Sequence, residues 1–263
     1  MNWKISFYFI GFLFTIINFS CSQNILDAQL FGIPVSNTGL TNLACNTDCK
    51  DVSITSKRFS NKEIGLMKSY INTKVFDEIL ENPYKQNLLI NSEGVCAVII
   101  ENVHTKKYHL ETFDTKEAAQ RAGAIVTHID ACGACSTLKD LIVYAERLDL
   151  GADVRKCAIQ NLTKPFDSLL VCIESLGFTK SCAQIWAYNV KNTQAKCFTV
   201  CINNNRYNKN NGTLSKCLQC DEKKSGPVFK AVAGRTRRNT GIANAICRFC
   251  DEVEVVKHNY LLE

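Results

Sequence analysis

Cysteine is the residue that most constrains this chain, because 15 occur among its 263 residues. Cytosolic proteins keep their thiols reduced, whereas secreted and lumenal proteins pair them. Cleavage after Ser22 would remove Cys21 and leave 14 cysteines, an even number that suits complete pairing. The predicted half-cystines are Cys45, Cys49, Cys96, Cys132, Cys135, Cys157, Cys172, Cys182, Cys197, Cys201, Cys217, Cys220, Cys247 and Cys250. Which of them pair with which cannot be deduced from the sequence.

The N-terminus predicts a secretory signal peptide over residues 1–22. A short basic start precedes an apolar run from Ile5 to Phe19, and the small residues Ser20 and Ser22 fit a cleavage site. As an uncleaved anchor the run is short against the roughly 20 residues that span a bilayer. A lipoprotein carrying its lipid on Cys21 is a third interpretation. The chain is therefore expected to be secreted or to reside in the lumen of the secretory pathway, touching a membrane only if this sequence is retained.

The rest of the chain predicts one α+β domain that is mainly helical, disulfide-rich and contains a small antiparallel sheet. Residues 23–60 lack periodicity and form a loop-rich lead-in, and the domain proper spans 61–263. Strand signals at 95–129 indicate a hairpin and a third strand, whereas 136–263 is helical and cysteine-dense. With 46% hydrophobic residues, the chain can bury a sizeable core.

Capping signals and apolar spacing place several of these elements. Ser60 and Glu63 form a capping box before an apolar stripe, which predicts a helix to about Leu80. A short apolar run predicts a buried strand, and Ser136 can cap the helix after it. The expected strands are 95–100, 108–113 and 125–129, and the expected later helices are 153–161, 166–176 and 180–202.

The sequence Cys132-Gly-Ala-Cys135 is the most reactive-looking motif, because it joins a strand to a helix with His128 just upstream. A helix N-terminus lowers a thiol pKa, so Cys132, Cys135 and His128 are catalytic candidates for a thiol oxidoreductase. The motif also matches the core of papain-like hydrolases, but Ser136 replaces the expected aromatic residue and the one later histidine is His258. The alternative is that both cysteines are structural half-cystines.

A second candidate site is a basic stretch near the C-terminus that includes Gly234 and ends before Gly241. Lys230, Arg235, Arg237 and Arg238 could bind an anion through guanidinium forks and backbone N–H groups. The predicted partner is an anionic small molecule or a glycan. The alternative is a solvated face, or pairing with the chain's own acids, such as Asp221, Glu222 and Asp251.

Other partners are not expected from the sequence. The net charge of +6 is a mild bias that does not argue for nucleic acid. The cysteines at 217, 220, 247 and 250 have zinc-ligand spacing, but behind a signal peptide they are predicted to be half-cystines, so no metal and no cofactor is expected. Asn161 and Asn211 lie in sequons and are candidate glycosylation sites in a eukaryotic host.

Three stretches resemble an uncharacterised family of cysteine-rich secreted proteins from microbial eukaryotes such as algae, oomycetes and ciliates. They are 127–141, the pentapeptide Cys182-Ala-Gln-Ile-Trp186, and the long segment 217–241. One departure is Arg248-Phe-Cys250, where the family pattern would have Arg-Pro-Cys. The resemblance implies an extracytoplasmic protein and brings no assigned activity.

These observations predict a secreted or endomembrane-lumen cysteine-rich protein that acts as a binding or structural module. The alternative is a thiol-dependent enzyme, either an oxidoreductase or a papain-like cysteine hydrolase, that uses the motif at 132–135.

Overall fold

The computed structural model of the chain describes residues 57–86, 88, 92–202, 206–209, 213–248 and 252–260. Some predictions concern residues outside these ranges. They are the signal peptide over 1–22, most of the lead-in over 23–60, and the residues Cys21, Cys45, Cys49, Cys250 and Asn211.

A small sheet lies in the N-terminal half of the described chain. Its strands are β1 (Ile71–Asn72), β2 (Val95–Asn102), β3 (Lys107–Phe113) and β4 (Ile125–Ile129), in the spatial order β1-β3-β2-β4. β2 pairs antiparallel with both β3 and β4, which confirms the predicted hairpin and third strand. β1 joins β3 in the parallel direction, so the sheet is mixed rather than wholly antiparallel.

The central strand β2 buries side chains on both of its faces. Cys96 and Val98 belong to the main hydrophobic core, whereas Ala97 packs in a smaller cluster with Ala119 and Ala124. Successive side chains of a strand point to opposite faces, so this alternation follows from the extended backbone. The sheet is therefore covered on one face by the main core and on the other by a short helix, α2 (Lys116–Arg121).

The first helix, α1 (Asn61–Lys68), begins at the predicted capping box. Glu63 N donates to Ser60 Oγ at 3.3 Å, and Ser60 N donates to the Glu63 carboxylate at 2.7 Å. The predicted continuation to Leu80 is wrong, because the chain leaves the helix after Lys68 and pairs with β3 as β1. Leu80 is instead 80% exposed.

The helix after the cysteine motif, α3 (Leu138–Glu146), is capped by Thr137 and not by Ser136 as predicted. Thr137 Oγ1 accepts from Asp140 N at 3.1 Å. Leu138 and Leu141 lie in the main core, as their helical spacing predicts. Ser136 is used elsewhere, in contact with His128.

Asp140 joins the N-termini of two helices inside the core. Its carboxylate accepts from Thr137 Oγ1 at 2.5 Å, from Thr179 N at 2.8 Å and from Thr179 Oγ1 at 3.0 Å. Thr179 directly precedes the helix Lys180–Cys201, so Asp140 fixes α3 against the start of that helix. Burial raises the pKa of Asp140 to about 6, although these hydrogen bonds oppose the shift.

The C-terminal half of the described chain is helical, as predicted. Its helices are α4 (Leu150–Gln160), α5 (Phe166–Glu174), α6 (Lys180–Cys201), α7 (Lys216–Lys224), α8 (Gly226–Ala233) and α9 (Arg237–Thr240). α6 is the longest at 22 residues and contacts α5, α7 and α8. Within the described ranges, no helix is both long and apolar enough to cross a bilayer.

Five disulfides connect these elements. The pairs are Cys96–Cys132, Cys135–Cys182, Cys157–Cys172, Cys197–Cys220 and Cys201–Cys217. Cys247 is also disulfide-bonded. The first pair fixes β2 to the segment after β4, and the second fixes that segment to α6. The predicted class, a mainly helical, disulfide-rich α+β fold, is therefore confirmed.

Candidate ligand-binding site

Both cysteines of the motif at 132–135 are bonded to distant partners. Cys132 pairs with Cys96, 36 residues earlier, and Cys135 pairs with Cys182, 47 residues later. A disulfide sulfur is not a thiolate, and only the thiolate is a nucleophile. The thiol-dependent alternative would therefore first require the bond between Cys135 and Cys182 to be reduced, and Cys135 is fully buried.

His128 is fully buried beneath the same motif. Its Nδ1 lies 2.8 Å from the carbonyl oxygen of Ile129 and its Nε2 lies 2.7 Å from Ser136 Oγ. Nδ1 therefore donates to the carbonyl, and Nε2 accepts from the Ser136 hydroxyl. Burial lowers the pKa of His128 well below its usual value, with Arg235 adding to the effect. The imidazole is neutral, and both of its nitrogens are occupied by the protein.

The side chain of Arg235 lies in the protein core, although the sequence predicted it as part of an anion site. Its guanidinium is fully buried and makes five hydrogen bonds, which equals its number of N–H donors. It donates to Cys135 O at 3.0 Å, Thr127 O at 3.2 Å, Thr127 Oγ1 at 2.7 Å, Ser136 O at 2.8 Å and Thr240 Oγ1 at 3.4 Å. Arg235 therefore has a structural role that fixes β4, the cysteine motif and α9 together.

A close crossing of two glycines brings Arg235 to this position. Gly133 lies against the end of α8, and a Cβ on Gly234 would lie 2.5 Å from Gly133 N. Gly234 also has a φ of +70°, which favours glycine. Beside the crossing, Ala134 N and Cys135 N donate to the last carbonyls of α8 at 2.9 Å.

The other three basic residues of the stretch have separate partners inside the protein. Arg237 donates to the carbonyl oxygens of Arg147 and Ala243. Arg238 lies 3.4 Å from the Glu222 carboxylate and 3.6 Å from that of Glu252, and Lys230 lies 3.1 Å from Asp130. The structure does not bring Lys230, Arg235, Arg237 and Arg238 together as one anion site.

Asn161, a predicted glycosylation site, has a buried side chain. Its Nδ2 donates to Cys157 O at 2.9 Å at the end of α4. Because a glycan on this nitrogen needs access to solvent, glycosylation would require the Asn161 side chain to leave its buried position.

An apolar cavity of about 270 Å³ lies among α4, α6 and α7. α6 provides its longest wall, through residues spaced three or four apart that share one helix face. These are Trp186, Asn189, Val190, Thr193, Gln194, Phe198, Cys201 and Ile202. α4 contributes Val154, Ala158 and Ile159, and α7 contributes Leu218 and Asp221. Leu162 and Phe198 also line it and are 37% and 41% exposed, so the cavity reaches the protein surface near them.

Disulfides fix the helices around this cavity. Cys197–Cys220 and Cys201–Cys217 attach α7 to the last two turns of α6. Cys157–Cys172 attaches α4 to α5, which in turn packs on α6. Across the cavity, Gln194 Nε2 donates to Ala158 O at 3.3 Å and Lys191 Nζ donates to Asn161 O at 3.4 Å. The space between α4 and α6 is therefore bounded by covalent bonds and bridging side chains.

Polar groups lie at two separate places in the apolar lining. At one, Arg155 lies beside Tyr207, whose hydroxyl donates to Asp149 Oδ1 at 2.6 Å. At the other, Thr193 Oγ1 donates to Asp221 Oδ1. Burial lowers the pKa of Arg155 and raises that of Asp221. A mostly apolar cavity with a few placed polar groups is the usual composition of a small-molecule site.

The sequence carried part of this signal. Cys182, Trp186 and Val190 share one face of α6, and Cys197 and Cys201 lie one turn apart. The cavity itself was missed, because its lining comes from three helices whose separation depends on the disulfide pairing. Within the described residues, no group of three or more potential metal ligands is found.

The comparison with protein families gives one match, to a family of unknown function (DUF8771), over residues 166–256. This segment includes α6 and α7 of the cavity but not α4, and it is about a third of the chain. No curated protein and no solved structure matches the chain.

Proposed function

We propose that this protein is a secreted or lumenal cysteine-rich module that binds a small, mainly apolar molecule between α4, α6 and α7. The observation that carries this proposal is the cavity of about 270 Å³ with its apolar lining. Its volume is near the lower end of the range for small-molecule sites, which favours a compact ligand. Helices fixed by disulfides would keep the site formed without the ligand and so reduce the entropy cost of binding.

The cysteines support the proposed compartment. Five disulfides fit an oxidising secretory or extracellular environment. The apolar run from Ile5 to Phe19 would supply the signal peptide. We include in the proposal that the protein belongs to the cysteine-rich secreted family of microbial eukaryotes that its motifs resemble.

A binding role also agrees with the state of the cysteine motif. Cys132 and Cys135 each bond to a distant partner, the arrangement expected if the motif is structural. His128 is buried with both nitrogens hydrogen-bonded, and its role is to hold Ser136 in the core. The favoured function therefore uses the cavity rather than the strand-to-helix junction.

The test is titration of the oxidised protein with N-phenylnaphthylamine, an uncharged probe that fluoresces in apolar surroundings. We expect saturable binding that Ala158→Phe weakens about tenfold or more, because the new ring fills the cavity beside α4. Ala195→Phe is the matched control, since Ala195 lies on the exposed face of α6.

Both variants are to be compared by circular dichroism and thermal unfolding, so that a folding defect is recognised. Leu162→Phe, at the exposed edge of the cavity, provides a second obstruction if Ala158→Phe does not fold. The proposal would be overturned by the absence of saturable binding, or by equal binding to a folded cavity variant and to Ala195→Phe.

A further inference from the structure

Asp221 is the acidic residue in the cavity lining, and its carboxylate is only partly satisfied. Oδ1 accepts from Thr193 Oγ1. Among the described residues, none donates a hydrogen bond to Oδ2, and Asp221 has no ion pair. A carboxylate has about four lone-pair sites, so Asp221 keeps acceptor capacity inside the site.

The charges behind Asp221 balance one another. Arg238 and Arg248 both lie within ion-pair distance of Glu222 and Glu252, so two guanidinium groups face two carboxylates. Arg248 lowers the pKa of Asp221 and Glu222 raises it, so these two neighbours act in opposite directions. Within this cluster of described residues, Asp221 is the carboxylate left without an ion-pair partner.

We infer that the cavity binds an amphipathic amine, with its apolar body along α6 and its ammonium group donating to Asp221 Oδ2. This inference rests on the proposed function and adds the chemical class of the ligand. A charge-assisted hydrogen bond in apolar surroundings is stronger than a neutral one, so the ammonium group would give both orientation and selectivity. Apolar lining residues such as Val154, Ala158 and Phe198 would contact the rest of the molecule.

The competing arrangement is a ligand of opposite charge, whose anionic group would bind to Arg155. Gln194 bonds to Ala158 and Lys191 to Asn161, so α4 runs antiparallel to α6, and Arg155 lies opposite about position 197. That is roughly 6 Å along α6 from Thr193, at 1.5 Å per residue. Arg155 has Tyr207 beside it and the Asp149 carboxylate beyond, so an acidic group already lies at that end. Asp221 is the better placed charge for a ligand.

The inference includes a dependence on pH. Burial raises the pKa of Asp221. The groups that act on this carboxylate are Thr193, which also contacts Ser225, and the ionisable side chains of Tyr84, Glu222 and Arg248. The ammonium group needs the ionised carboxylate, so amine affinity falls as pH is lowered through the pKa of Asp221. An alcohol of the same chain length has no charge to lose, so its affinity changes less.

The experiment compares octylamine, octanol and octanoate as competitors of N-phenylnaphthylamine on the oxidised full chain. We expect octylamine to displace the probe at a concentration about tenfold lower than octanol, since hydrogen bonds to charged groups are worth roughly that factor or more. Asp221→Asn should remove the difference between the two, with each competitor measured against the probe affinity of that variant. Asp167→Asn, at an exposed position on α5, is the matched control and should keep it.

Two results would overturn the inference. One is equal displacement by octylamine and octanol in the wild-type protein. The other is preferential binding of octanoate that Arg155→Gln abolishes, which would assign the polar end of the ligand to Arg155. Either result leaves the proposed function standing, because the probe still binds, whereas failure of the probe itself refutes the proposed function.

Discussion

Arg235 and Asp221 are both ionisable side chains within the fold, and their surroundings differ. Arg235 donates five hydrogen bonds to protein oxygens and is fully enclosed. Asp221 accepts one, from Thr193, and lies on the wall of a cavity. The first lies where β4, the cysteine motif and α9 meet, and the second lies where α6 and α7 face an open space.

The difference separates a structural charge from a functional candidate. A buried polar group with all its hydrogen bonds made contributes to the uniqueness of the fold, and a ligand would gain nothing from it. A partly satisfied group in a cavity can still accept a hydrogen bond from a ligand. Groups with perturbed pKa values in clefts are also concentrated at functional sites. By this criterion the cavity is a candidate binding site and the arginine stretch is not.

The largest expected effect comes from removing Arg235, the structural charge of this comparison. Arg235→Ala leaves buried carbonyl oxygens of Thr127, Cys135 and Ser136 without donors, so we expect the free energy of unfolding to fall by roughly 3–5 kcal/mol. Arg238→Ala is the matched control and should cost about 1 kcal/mol or less, because its ion pairs are partly exposed. Denaturant unfolding measures both, and equal losses would contradict the assignment.

The next effect tests whether disulfides maintain the cavity. Cys157→Ala together with Cys172→Ala opens a 15-residue loop, which should lower the free energy of unfolding by about 3 kcal/mol. It also releases α4 from α5, so binding of N-phenylnaphthylamine should weaken. Cys96→Ala with Cys132→Ala is the control, since it removes a bond of similar worth in the sheet region and should leave the probe bound. Retained binding in the first variant would show that packing alone holds α4.

The smallest expected effect is on stability: titration of the buried Asp140 should change the free energy of unfolding, whereas titration of Asp221 should change ligand affinity. The pKa of Asp140 is raised to about 6, so the folded state binds this proton more tightly than the unfolded state, where the pKa is about 4. Its contribution to stability is therefore greatest below about pH 4 and declines, by at most about 3 kcal/mol, as pH rises to about 6.

Unfolding measurements between pH 4 and pH 6 test this contribution. Asp140→Asn should remove it, so the difference in stability between variant and wild type changes steadily across this range. Asp167→Asn, at its exposed position, should show a constant difference. A constant difference for Asp140→Asn as well would refute the coupling of this carboxyl to folding.

Elements with strong local signals were predictable from the sequence. The strand Ile125–Ile129 and the helix starting at Lys180 both begin where expected, because a short apolar run and a long helical spacing each favour one structure. Where two neighbouring residues could each cap a helix, tertiary contacts determined which one does. Ser136 resembles a helix cap, yet its hydroxyl bonds to His128 and Thr137 caps the helix.

The basic stretch shows why the site was harder to predict. Gly226 and Pro227 begin α8, and Gly234 allows the crossing that places Arg235 in the core. Arg235 faces the core because the carbonyl oxygens of Thr127 and Ser136 accept its hydrogen bonds. These residues are 108 and 99 positions away in sequence, so no local pattern reveals the contact. The cavity likewise depends on the spacing of three helices and has no local signature.

The order of the disulfides along the chain has a consequence for biosynthesis. Cys96–Cys132 closes before Cys135 begins, Cys157–Cys172 lies wholly inside Cys135–Cys182, and Cys201–Cys217 lies wholly inside Cys197–Cys220. Among these five bonds none interlaces with another. A nascent chain entering an oxidising compartment can therefore form each of these five bonds as soon as its second cysteine emerges, without waiting for a later segment. Because two of these bonds lie inside others, Cys135 and Cys197 must stay unpaired while the enclosed pairs form.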